Sequence, residues 1–98
     1  MHAGNYSFKQ YEKHYPLAVE CVRHLKSRRL ARAHFSSQLK VRREALKLHK
    51  KDITKQVGIT IRAYDLYEQG QRVPRPDILF KLAAVLKTPL RDLTKCKK

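Results

Sequence analysis

Glycine occurs only three times in 98 residues, and cysteine only twice. So few glycines leave no glycine-rich loop to cradle a phosphate, and few segments alternate polar with apolar residues as half-buried strands do. Cys21 and Cys96 form no CxxC pair, and no Cys/His cluster has zinc-finger spacing, so a structural metal is not expected. The five histidines are scattered. No apolar run approaches the ~20 residues of a membrane span, and no signal peptide is visible. The expectation is a soluble, intracellular chain with both thiols reduced. Acidic residues are also scarce: eight Asp and Glu stand against 23 Lys and Arg, a net charge of +15. No carboxylate pair and no nucleophile with a nearby base emerges; Glu20, Cys21 and His24 are neighbours on one helix and no more. No enzymatic activity and no cofactor are expected.

A charge of +15 adds nothing to a fold, because like charges repel. It suits a polyanion, since each Lys/Arg–phosphate contact releases counterions. An anionic membrane would respond to the same charge, but the ordered pattern of the second half of the chain does not suit a membrane-surface peptide. Residues 1–38 carry net +5, residues 39–93 net +7 and residues 94–98 net +3, so the basic character is distributed.

With 42% hydrophobic residues the chain can build a core, and its helix formers predict an all-α domain. Residues 1–14 lack periodicity and read as an arm, with Tyr6, Phe8, Tyr11 and Tyr15 either packed or exposed. Pro16 suits a first helical turn. Leu17, Ala18, Cys21, Val22 and Leu25 then recur at helical spacing, giving a helix over 16–26 that either stops at Ser27-Arg28-Arg29 or runs on to 34. Ser36 or Ser37 is read as the cap of a next helix over 37–47, with Leu39, Arg43 and Leu46 on one face. A short helix over 50–57 ends at Gly58, a left-handed stop. Thr60 caps a helix over 61–69 that carries Tyr64 and Tyr67 inward and ends at Gly70. Pro76 opens an amphipathic helix reaching Lys87. Thr88-Pro89 reads as cap and first turn of a last short helix, and residues 94–98 as a frayed basic tail.

The two short helices flanking Gly58 are each too short to be stable alone. Joined by a tight turn they form a helix-turn-helix candidate. The second must show its N-terminal side chains to the major groove and dock on the first through an apolar back. Tyr64 and Tyr67 supply the back; Ile61, Arg62, Asp65 and Leu66 face out.

Residues 39–93 resemble the Cro/phage-repressor (XRE-type) helix-turn-helix family. Leu39, Arg43, Ile53, Val57-Gly58-Ile59-Thr60, Tyr64, Tyr67-Glu68, Gly70, Pro74, Leu79, Lys81-Leu82-Ala83, Leu86 and Leu90 to Leu93 carry the likeness. It implies a five-helix DNA-binding domain over 37–93, preceded by an arm and extension helix over 1–36 and followed by the tail. It also implies a largely buried ion pair between Arg43 and Glu68. Departures occur: Arg42 stands at a usually apolar place, which leaves Val41 or Ala45 to fill it. Thr54 replaces a small alanine, His49 a Ser/Thr cap, Lys50 a glutamine, and Lys87 a helix-ending glycine.

The expected base contacts are Ile61, Arg62, Asp65 and Leu66. Arg62 is either bidentate to guanine or a solvated or phosphate-bound charge. Ile61 either meets a thymine methyl or closes the corner between the helices. Asp65 accepts from cytosine, orients Arg62, or filters electrostatically. Leu66 is groove-facing or core. Expected phosphate contacts are Lys50, Lys51, Thr60, Gln69, Gln71 and Arg72. The run Arg23 to Arg32 is either an extra DNA arm or a solvated face, and the apolar stripe before it is either a partner surface or a lid on the domain. Two functions follow. One is a transcriptional regulator, a repressor, binding an inverted-repeat operator as a homodimer. The other is an antitoxin or similar interaction module, engaging a protein partner through residues 1–36 while binding its own operator.

Overall fold

A computed structural model describes residues 16–95. They form six α-helices and, among the described residues, no strand: α1 (Pro16–Ser27), α2 (Arg29–Ala45), α3 (Lys50–Val57), α4 (Ile61–Glu68), α5 (Pro76–Val85) and α6 (Leu90–Thr94). The arm at residues 1–14, Tyr15 and residues 96–98, Cys96 included, lie outside this range.

Helix α1 begins at Pro16, whose missing N–H costs nothing at that position. Ala18, Cys21, Val22 and Leu25 recur at i, i+3, i+4 and i+7 and are all buried. The stripe packs on α2, α5 and α6, so α1 closes the domain like a lid. The chain leaves helical geometry for one residue, Arg28, at φ −126° and ψ 112°. The Arg32 guanidinium donates to the Leu25 and Lys26 carbonyls at 3.1 and 3.0 Å, satisfying the end of α1.

Helix α2 then runs unbroken to Ala45, so neither Ser36 nor Ser37 caps a helix. Ser36 donates its hydroxyl to the Ala33 carbonyl at 3.0 Å, which gives it a partner inside the helix. Ala31, Phe35 and Leu39 form the buried face. Neither Val41, half exposed at 51%, nor Ala45 fills the place of Arg42. Arg42 keeps it, half-buried, with Nε donating to Gln38 Oε1 at 3.0 Å. Leu46 lies just past the helix and is partly exposed; Leu48 packs on the core in its stead.

One core joins these elements. Cys21 and Leu25 of α1, Phe35 and Leu39 of α2, Ile53 of α3, Tyr64 of α4, Leu79 and Leu82 of α5 and Leu93 of α6 are almost wholly buried. Each such leucine contributes about 1.5–3 kcal/mol by leaving water. Thr94 belongs to this core rather than to a frayed tail: it is fully buried and donates to the Leu90 carbonyl at 2.7 Å. Pro89, not Thr88, is the cap of α6; the Thr88 hydroxyl turns back to the Leu86 carbonyl at 2.9 Å.

Three helices end in the same left-handed turn. After α4 it is made by Gly70 (φ +74°), after α2 by Lys47 (φ +57°) and after α5 by Lys87 (φ +53°). In each, two successive N–H groups reach back to the last turn's carbonyls, as with Lys87 to Ala84 and Thr88 to Ala83. Only Gly70 adopts that backbone without a steric penalty.

Candidate nucleic-acid interface

The α3–turn–α4 unit is fixed at every joint. Asp52 accepts from the His49 backbone N–H at 2.9 Å, which closes the start of α3 without a Ser/Thr cap. At its end Gly58 turns left-handed at φ +85°, and the N–H groups of Gly58 and Ile59 both bond to the Thr54 carbonyl. Open space surrounds the position a Cβ would take at Gly58, so the demand there is conformational and not steric. Thr60 then caps α4, its hydroxyl accepting from the Ala63 N–H at 3.0 Å.

The back of α4 is Tyr64 and Tyr67, both buried. Arg43 Nε donates to Glu68 Oε2 at 2.8 Å, with side-chain exposures of 13% and 8%. A second arm of the same guanidinium donates to the Leu48 carbonyl at 3.3 Å. One side chain of α2 therefore holds both the end of α4 and the loop that enters α3. The hydrogen bond to Glu68 raises the Arg43 pKa further above its ordinary value. The Tyr64 hydroxyl is buried with no group of the described residues meeting it at hydrogen-bonding geometry. Burial, and then neighbouring Glu68, pushes its pKa well above the usual phenol value. Burial also raises Tyr67, while Arg72 and Arg75 pull the other way, which puts both arginines within electrostatic reach of the back of α4.

The opposite face of α4 lies open. Ile61 is 47% exposed, a large apolar side chain with nothing covering half of it. Arg62 is exposed, and no side chain of the described residues pairs with it. Asp65 and Leu66 are half-buried at the edge of this face. Asp65 is engaged by Lys50 from α3, Oδ1 to Nζ at 2.7 Å, and so is not held by Arg62. Both partners are about a third or more exposed, so the bridge adds under about 1 kcal/mol to stability. Its consequence for the face is that the Asp65 carboxylate is paired with a cation from α3.

Thr60, Lys51, Gln69, Gln71 and Arg72 are exposed around this surface, and Gln71 Nε2 donates to Gln69 Oε1 at 3.0 Å. Spacing did not reveal the Lys50–Asp65 pair, because it joins two helices. Arg75, on the same connector as Arg72, belongs to no motif that spacing marks. It is exposed at the cap of α5, and its signal in the sequence was a cation beside Pro74 and Pro76.

The helix-turn-helix family matches residues 39–93, from the middle of α2 to α6. This chain belongs to the helix-turn-helix family of the Cro/phage-repressor (XRE) type. Among curated proteins and solved structures, none matches it. Helix-turn-helix domains of this type bind DNA in transcription regulation and do not catalyse. In those terms α3 is the first helix of the motif and α4 the second. No helix of the described residues is long and apolar enough to cross a membrane.

Proposed function

We propose that this helix-turn-helix protein is a sequence-specific regulator of transcription, a repressor that binds an inverted-repeat operator as a homodimer. The observation that carries this is the open face of α4. A helix of eight residues is unstable alone, yet this one is fixed by a cap, an aromatic back and a buried ion pair while Ile61 and Arg62 are left uncovered. A rigid element presenting an unpaired guanidinium next to an apolar side chain suits the floor of the major groove. Arg62 would donate both its terminal N–H groups to guanine O6 and N7, and Ile61 would pack on a thymine methyl. Leu66 would border the same bases.

Lys51, Thr60, Gln69, Gln71 and Arg72 would grip phosphates on either side, which sets register without reading sequence. Lys50 and Asp65 act together. With its charge taken up by Lys50, Asp65 does not repel the backbone; where Lys50 turns to a phosphate, Asp65 is released toward cytosine N4. Two copies would read half-sites about one turn, roughly 34 Å, apart and occlude a promoter. The alternative, an antitoxin-like module, would use residues 1–36 for a partner. The apolar stripe of α1 is spent inside the domain, which favours the regulator.

Selection of binding sequences from random duplex DNA tests the proposal. Enrichment of an inverted repeat, bound by two copies, is the expected outcome. Retention that depends on salt alone, with no motif enriched, would overturn it.

A further inference from the structure

Helix α1 precedes the residues that match the family, and one face of it is wholly consumed in the core. What it offers outward is charge. Arg23 and Lys26 lie one turn apart, on one side of the helix and exposed. That side meets the connector between α4 and α5. Together they form a cleft of about 410 Å³, with Arg23 and Lys26 on one wall, Arg75 on the other, and Val22, Val73 and Pro74 among its apolar lining. All three charged groups in the lining are cations.

The carboxylates within reach bind weakly. Glu20 meets Arg23, and Asp77 meets Arg75, each at 3.4 Å, and both guanidinium side chains stay about three-quarters exposed (73% and 75%). Such pairs exchange readily with another anion. Arg72 and Arg75 both stand on the connector that follows α4, and Arg75 lines the cleft. Positive charge thus runs from the end of α4 through the connector and onto α1. The Arg28–Arg29 corner differs: it follows the same end of α1 but lines a separate hollow, beside His24, His34 and Lys95, that shares no residue with the cleft.

We infer that the cleft between α1 and the α4–α5 connector is a second docking surface for the duplex DNA backbone, with Arg23 and Lys26 gripping phosphates beyond those reached by the helix-turn-helix. This rests on the DNA-binding proposal above and lengthens its footprint on the side of the connector. The cations are mounted on a helix whose other face is locked in the core, so little order is lost when they bind. Because the contacts are to phosphate, they add affinity without adding sequence preference.

The test is the salt dependence of binding to a labelled random-sequence duplex, with the full chain. Each phosphate contact contributes about 0.9 to the slope of log K against log salt. Arg23→Gln/Lys26→Gln is expected to lower the slope by about 1.8, so that the advantage of the wild type shrinks about twelvefold between roughly 50 and 200 mM salt. Arg28→Gln/Arg29→Gln removes the same charge from the other corner and is expected to keep the wild-type slope. Arg23→Lys/Lys26→Arg, which keeps the charge, is expected to keep it too. An unchanged slope in the first variant overturns the inference while leaving the DNA-binding proposal intact. Equal losses in the first two variants also overturn it, because the general field of the protein would then explain both. If the wild type does not bind duplex DNA at all, the parent proposal fails and this one with it.

Discussion

Replacing Arg43 with methionine removes one partner of the pair that joins α2 to α4. The Glu68 carboxylate, 8% exposed, is left with no counter-charge, and the Leu48 carbonyl loses a donor. Stripping one partner from a buried, hydrogen-bonded pair costs about 3–5 kcal/mol, most of it the penalty of the stranded charge. A domain of this size has only about 5–15 kcal/mol in total. At about 4–8 °C per kcal/mol, the loss lowers Tm by roughly 12–40 °C. Thermal unfolding followed by circular dichroism measures it. The control is Arg43→Met/Glu68→Leu, in which no charge remains to strand. It is expected to recover most of the loss, because an apolar replacement of a whole buried pair is close to neutral. A double-mutant cycle then isolates the coupling. A cost under about 1 kcal/mol for Arg43→Met would refute the reasoning, since that is the behaviour of a water-screened surface bridge.

Thr60→Ala deletes the cap of α4 and is expected to cost about 1 kcal/mol in chemical denaturation, whereas Thr60→Ser is expected to cost little. Lys87→Gly relieves a left-handed backbone that glycine adopts freely; the strain removed, less the entropy glycine adds, predicts a gain of about 0.5–1 kcal/mol. Stability is expected to fall as pH rises past 10.0, the ordinary phenol value. The unfolded chain ionises Tyr64 there while the folded chain holds its proton, so the stabilisation present below that pH is lost above it. Tyr64→Phe is expected to reduce this alkaline loss, read as ΔG of unfolding against pH.

Much of the motif was legible because it depends on residues whose local chemistry is narrow. Gly58 had to stop α3, Thr60 had to cap α4, and Pro16 and Pro76 could only open helices. Tyr64 and Tyr67 were readable as the back of α4 from their spacing. What failed were the serines: Ser36 and Ser37 carry cap chemistry, but a hydroxyl can equally bond back to the preceding turn, and Phe35 and Leu39 on either side continue the same buried face. The break at Arg28 was half visible, since apolar periodicity weakens there, yet a one-residue interruption leaves no turn signal. Arg42 was misjudged by its charge; its half-buried side chain holds a place that an apolar residue usually takes. The Lys50–Asp65 bridge and the cleft of Arg23, Lys26 and Arg75 arise only when separate helices meet, so no local pattern announces them.

The account stands or falls on whether Arg62 reads a base. The direct measurement compares the sequence preferences of the wild type and Arg62→Ala on the same random duplex pool. A lost bidentate contact is worth about 1–3 kcal/mol at one base pair. The account predicts that one guanine position in each half-site relaxes while the others keep their preference. An unchanged preference at every position, or a uniform loss of affinity with no position relaxed, would make Arg62 a phosphate contact or a solvated charge and contradict the central claim.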